Sequence, residues 1–199
     1  VDQLSRTFYQ LTIWATPPRG GDMTEALSQK PTDRTVFQNA WVVDDLESAC
    51  MKWVNELAVG PFFITEYRDV FEAVTYRGKP AKLEMRVALA QAGPVQIELI
   101  QPLVDNCAYR DSVPPGAIGF HHMCVWTHDI DADAAYFESL GYVTANRGRV
   151  GEAEFAYFDT RPLTGSMLEV VTYSEAIEAR FAAIAQAADN WDGREPLRS

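Results

Sequence analysis

Histidine and cysteine are scarce in this chain, with three of each in 199 residues. The cysteines (Cys50, Cys107 and Cys124) are odd in number and form no CxxC pair. They therefore point away from a disulfide framework and towards small buried hydrophobes in a reducing cytoplasm. Basic residues are also few, 17 against 28 acidic, for a formal charge of −11. That shortage excludes the clustered cations a nucleic-acid partner needs and disfavours an anionic membrane surface. No apolar run approaches the roughly 18 residues that span a bilayer. The N-terminus lacks the basic-then-apolar layout of a secretory signal. A cytoplasmic location is the expectation.

What is present is an ample core, since 47% of the residues are apolar. Residues 1–35 read as an N-terminal extension, with Phe8, Leu11, Ile13 and Trp14 followed by Pro17-Pro18 and Gly20-Gly21. After it comes a repeat. Residues 36–49 read VFQNAWVVDDLESA and residues 120–133 read FHHMCVWTHDIDAD, which sets Gln38 on His122, Asp45 on Asp129 and Leu46 on Ile130. Each copy is a β-rich run ending at an Asp suited to cap the following helix. The first helix carries Leu46, Ala49, Cys50, Trp53 and Leu57 at helical spacing. The second carries Ile130, Ala134, Phe137 and Leu140, and ends at Gly141.

Alternating strands follow in each half. Leu83, Met85, Val87 and Leu89 share one face, with Glu84, Arg86 and Ala88 opposite. Val95, Ile97 and Leu99 oppose Gln96, Glu98 and Ile100, and Phe155–Phe158 and Met167–Thr172 occupy the corresponding places in the second half. The expected fold is α+β: two paired βαβββ modules, 36–105 and 106–173, forming a curved open mixed sheet with helices outside and a cleft inside. A C-terminal helix and tail, 174–199, carries Ile177, Phe181, Ile184, Ala188 and Trp191 on one stripe. It is expected to pack on the body or on a second subunit, so a homodimer is one expectation.

Polar residues inside apolar strands need a reason, because an unpaired buried charge is costly. Gln38 and His122 lie in the first strand of each half, and Glu98 and Glu169 in the last. Strand parity turns both carboxylates away from the helix-covered faces. Two carboxylates, an amide and an imidazole suit one divalent metal with open positions (Zn, Co, Ni, Mn or Mg).

These motifs resemble the vicinal-oxygen-chelate superfamily of glyoxalases, methylmalonyl-CoA epimerases, extradiol dioxygenases and bleomycin-resistance proteins. GFHHMCVWTHDID resembles the start of a second module, QIELIQP the segment of a second ligand, and SMLEVV that of the last Glu. The resemblance covers about residues 36–173, nearest the epimerase and glyoxalase branch. It implies metal ligands at Gln38, Glu98, His122 and Glu169, and a base at Glu169.

With only His121, His122 and His128, and Gln38 where a first His would stand, a two-His iron site for ring cleavage is disfavoured. His121, next to His122, is expected on the opposite face. The remaining reading is metal-assisted proton transfer next to the carbonyl of a small organic substrate, by an isomerase, epimerase or lyase. The alternative is a metal-free binding protein of the same fold. Glu84 is a second candidate base: it faces away from Leu83, Met85, Val87 and Leu89, so it is expected on the concave face with Glu98, and the epimerases resembled place a Glu on the corresponding strand; its other reading is an ion pair with Arg86 or Lys82. Arg77, Lys79, Arg147 and Arg149 are candidate contacts for an anionic substrate group.

Overall fold

The computed structural model describes residues 35–199; Phe8, Leu11, Ile13, Trp14 and the rest of the extension up to residue 34 lie outside the described residues. The first half runs β1 (Val36–Val42), α1 (Leu46–Leu57), β2 (Phe62–Tyr67), β3 (Phe71–Tyr76), β4 (Lys79–Pro80), β5 (Met85–Ala92) and β6 (Val95–Pro102). A 3-10 turn at Ala108–Asp111 leads to β7 (Gly119–Thr127), α2 (Ile130–Ser139), β8 (Thr144–Val150), β9 (Ala153–Phe158), the short α3 (Arg161–Thr164) and β10 (Met167–Thr172). The chain ends with α4 (Glu175–Asp189) and β11 (Leu197–Arg198). Among the described residues the strands form one mixed sheet in the order β11-β2-β5-β6-β1-β7-β10-β9-β8-β3-β4.

Both helices begin as the sequence predicts. Asp45 accepts from Ser48 N and Asp129 from Ala132 N, each at 2.9 Å, which satisfies one of the unpaired amides of each first turn. Leu46, Ala49 and Cys50 of α1 pack on Ala88, Ala90, Ile97 and Leu99 of the sheet's outer face. Ile130 and Phe137 of α2 do the same on Val125, Ala156, Phe158 and Val170. The predicted stripes overrun at their ends: Leu57 is 60% exposed and Leu140 54%. Both sit where the helix gives out and the chain turns away, at left-handed Ala58 and at Gly141.

Strand β5 reverses one expectation. The small residues Ala88 and Ala90 face α1, whereas Leu83, Met85, Val87 and Leu89 belong to the core inside the curve. The concave side is therefore itself largely apolar, and alanines on the convex side let the helix approach.

The β3–β4 hairpin interrupts the first half. Strand β2 stands near one end of the strand order and β3 near the other, yet only residues 68–70 join them. That linker reaches at most about 15 Å, so the sheet must curl until its two ends nearly meet. Tyr67 and Phe71 touch across the linker, ring centroids 5.5 Å apart. Docking β3 on β8 needs glycine at position 148, where a Cβ would lie 2.9 Å from Phe155 Cζ and 3.1 Å from Val74 Cγ2. Tyr76 Oη donates to Asp111 Oδ1 (2.5 Å), and Arg77 donates to Asp111 Oδ2 (2.6 Å) and Asp159 Oδ2 (2.9 Å). These bonds tie the hairpin to the other half.

Helix α4 packs on β5 of its own chain, with Ile184 buried in the inner core. Truncating the two ends of the α1 stripe should give different outcomes in chemical denaturation. Leu46→Ala is expected to cost about 2–5 kcal/mol. Leu57→Ala should change stability by no more than about 0.5 kcal/mol.

Candidate metal centre

Sheet register brings the predicted residues together in two adjacent rows. Ala40 of β1 lies between Glu98 of β6 and His122 of β7, and Gln38 lies between Gln96 and Cys124. On the far side Cys124 is paired with Glu169 of β10. Directly paired residues share a face, so Gln38, Glu98, His122 and Glu169 all face the inside of the curve. The repeat is visible in this register. Gln38 pairs with Cys124 and Ala40 with His122, pairs that exchange under one offset of 84 residues (38 to 122, 40 to 124). Under it, Glu98 beside Ala40 is the counterpart of Glu169 beside Cys124.

The donor atoms converge. His122 Nε2 lies 3.3 Å from Glu98 Oε2 and 3.0 Å from Glu169 Oε2, and one atom from each residue falls within 4.8 Å of the others. Despite these short separations, His122 Nε2 and Glu98 Oε2 are buried with no hydrogen bond of good geometry. Buried polar atoms normally find partners. Two carboxylates and an imidazole whose ligand atoms all lie within 4.8 Å of one another fit a cation between them. Gln38 Nε2 donates to Gln96 Oε1 at 2.7 Å, leaving the Gln38 amide oxygen as the end free for an ion.

Electrostatics agree with this geometry. Burial alone would push His122 down, but the charges and contacts of Glu169 and Glu98 overcome it and hold the imidazole up at about 9. Burial raises Glu98, opposed by His122 and reinforced by Glu169. Without metal, a proton on His122 supplies the positive charge the cluster needs.

Two expectations fail here. His121 does not point to the opposite face. Between the pairs Ala40–His122 and Trp41–Phe120 the strand carries one extra residue, a β-bulge at His121, and bulges re-aim side chains. His121 is buried, its Nδ1 2.9 Å from His122 Nδ1 and its Nε2 3.0 Å from Ala108 O. Burial first, then the charge of His122, lowers it to about 3, so it is neutral at physiological pH. Glu84 is not brought to the site either. Leu89 is paired with Glu98, which puts the odd positions of β5 inside the curve. Glu84 lies outside strand β5, 3.0 Å from Lys82 Nζ, the ion-pair reading of its sequence.

Nor do the turn cations reach the site. Arg77 is held by Asp111 and Asp159, Arg147 by Asp131 (2.7 Å) and Glu154 (3.3 Å), and Arg149 by Glu72. Around the cluster opens a cavity of about 440 Å³ with Gln38, Glu98, Cys124, Tyr157 and Glu169 among its polar lining. Met85, Val87, Leu89, Phe155 and Val171 form apolar walls, and α4 contributes Ile177, Phe181 and Arg180. Sequence reasoning did not assign Cys124 or Arg180 to the cleft, or Gln96 as the buried partner of Gln38. Parity from His122 would have found Cys124, and parity from Glu98 would have found Gln96; Arg180 carried no such signal.

The glyoxalase/bleomycin resistance protein/dioxygenase superfamily profile matches residues 37–158. The chain belongs to this superfamily. No curated protein sequence matches it. Among solved structures, a Streptomyces coelicolor methylmalonyl-CoA epimerase is similar over 72% of this chain and 97% of its own, at 15% identity and a TM-score of 0.52. A hypothetical protein from Bacillus halodurans is similar over 73% and 97%, at 16% identity and a TM-score of 0.51. At these identities the likeness is one of fold.

The raised His122 generates a pH prediction. Its folded value, about 9, lies above the ordinary histidine value near 6.5, so its contribution is complete below about 6.5 and is lost as pH rises through 9. Chelator-treated protein should lose denaturation midpoint between those pH values. His122→Gln should lack that part of the slope, and saturating zinc should remove it by binding the deprotonated ring.

Proposed function

We propose that this chain is a divalent-metal enzyme that moves a proton next to a carbonyl of a small organic substrate, as an isomerase, epimerase or lyase. The observation that carries the reading is the convergence of Glu98, His122 and Glu169 on one point with buried donor atoms left unpartnered. Zn, Co, Ni, Mn and Mg all suit such a site, with Gln38 as the fourth ligand. A bound divalent ion would supply the charge that polarises the substrate oxygen and stabilises the enolate.

The chain's own residues would handle the proton. Glu169 turns Oε2 to His122, which leaves Oε1 as the carboxylate atom to take the α-proton. Since Glu84 lies off the site, the second proton-handling role falls to Glu98, the repeat counterpart of Glu169. Burial raises the Glu98 carboxyl, which suits a group that must hold and return a proton. The apolar walls would keep water from the carbanion.

Substrate size follows from the cleft. The S. coelicolor enzyme is described in complex with 2-nitronate-propionyl-CoA, which raises an acyl-CoA as one candidate. An apolar cavity of about 440 Å³ walled by α4, in a chain of charge −11, suits a smaller and less anionic carbonyl compound better. Ring cleavage by oxygen is disfavoured by the donor set: only one imidazole is available, because both nitrogens of His121 are engaged elsewhere.

The test is metal analysis joined to solvent deuterium exchange. Protein purified without added metal should bind about one divalent ion per chain, and Glu169→Ala should bind it far more weakly. With a carbonyl substrate in D₂O, exchange at the α-carbon should require metal and fall by about 10²–10⁴-fold in Glu169→Gln. Glu84→Gln should exchange at the wild-type rate. Protein that binds no divalent ion would leave the metal-free binding module as the function.

A further inference from the structure

Both ring nitrogens of His121 are engaged, and one of them meets the ring of a candidate ligand. Its ring is fully buried, Nε2 lies 3.0 Å from the carbonyl oxygen of Ala108, and Nδ1 lies 2.9 Å from Nδ1 of His122. A carbonyl oxygen can only accept, so Nε2 of His121 must carry the ring proton. The neutral ring then has a bare Nδ1, and the short contact between the two Nδ1 atoms requires a proton on His122. That proton leaves His122 Nε2 as the nitrogen facing Glu98 and Glu169.

The anchor at Ala108 is itself fixed from the other half of the chain. Ala108 N donates to Asn146 Oδ1 at 2.5 Å, and Asn146 Nδ2 donates to Thr75 O of the β3–β4 hairpin at 2.7 Å. Asn146 is 2% exposed, so these bonds are shielded from water. A continuous line of hydrogen bonds thus runs from the hairpin, through Asn146 and the 3-10 turn, to the candidate ligand. The bulge in β7 is what brings His121 into that line.

We propose that His121 is a positioning residue: by accepting a hydrogen bond from His122 Nδ1–H, it fixes His122 in the tautomer whose Nε2 is presented to a metal ion. The proposal rests on the metal reading above but not on the reaction. Partners of this kind fix ring orientation and raise ligand basicity, and their loss typically costs 10–100-fold in metal affinity.

Long-range ¹H–¹⁵N correlation spectra of the zinc-loaded, ¹⁵N-labelled full chain report the tautomers directly. The expected result is a proton on His122 Nδ1, zinc on His122 Nε2 and a proton on His121 Nε2. A proton on His121 Nδ1, or zinc on His122 Nδ1, would overturn the proposal. Zinc affinity by chelator competition is the second arm. His121→Phe, which keeps a flat ring but offers no acceptor, should weaken binding about 10–100-fold. His121→Asn, whose Oδ1 takes the place of Nδ1, should recover most of it. Equal losses in both variants, or none, would show that only ring packing matters and would sink the idea. Wild-type protein that binds no zinc would sink it together with the metal reading, whereas zinc binding that His121→Phe leaves unchanged would remove this proposal alone.

Discussion

Two carboxylates and an imidazole share the middle of one sheet face, and the rest of the molecule is arranged around the cost of putting them there. An uncompensated buried carboxylate costs several kcal/mol even after relaxation. Here the charge of Glu169 raises the Glu98 carboxyl, and both carboxylates raise the His122 imidazole between them. The convex side gives no relief, because α1 and α2 cover it with apolar packing. The compensation must come from inside the curve, from a proton on His122 or from a cation in its place. That requirement explains why polar side chains form the floor of a cavity whose walls are otherwise apolar.

Much of this was legible in the sequence, for a definite reason. The 84-residue offset that sets Gln38 on His122 is a statement about strand order, and the observed pairing obeys it in both directions. The N-caps Asp45 and Asp129 sit at the same offset and start equivalent helices. Parity along β6 and β10 was readable because Ile97, Leu99, Leu168 and Val170 are large and lie towards the helix-covered side. Parity along β5 was misread because both of its faces are apolar. The larger residues Met85, Val87 and Leu89 turned out to line the cleft, and the alanines to lie under the helix. When both faces of a strand are buried, residue size rather than polarity separates them.

The other miss, His121, has a different origin. Alternation assumes an unbroken ladder, and one inserted residue in β7 cancels it locally. A second irregularity between Val36 and Gln38 places Phe37 against the ring of Trp126 at 4.3 Å, so that Phe37 and Gln38 both line the cleft. Both bulges fall on the central antiparallel pair, within one or two residues of the candidate ligands. No residue type announces them; they are properties of how two strands are paired. Sequence reading therefore picked out the residues that the sheet brings together and missed His121, which contacts one of them.

The family match ends at residue 158, before Glu169 and α4. The matched span thus includes Gln38, Glu98 and His122 and leaves the fourth candidate ligand to be argued from this chain. The argument is the register. Glu98 is paired through Ala40, Glu169 is paired through Cys124, and Ala40 and Cys124 are repeat counterparts. Among the described residues helix α4 has no counterpart in the first half, yet it supplies part of the cleft wall and an arginine, Arg180, whose guanidinium donates to Thr65 Oγ1 at 3.1 Å. The repeated strands build the polar floor, and the unrepeated helix bounds the space above it. On the proposed reading the candidate ligands belong to the repeated sheet, whereas the space beside them is bounded jointly by repeated strands, through Met85, Val87, Leu89, Phe155 and Val171, and by a helix that stands outside the repeat.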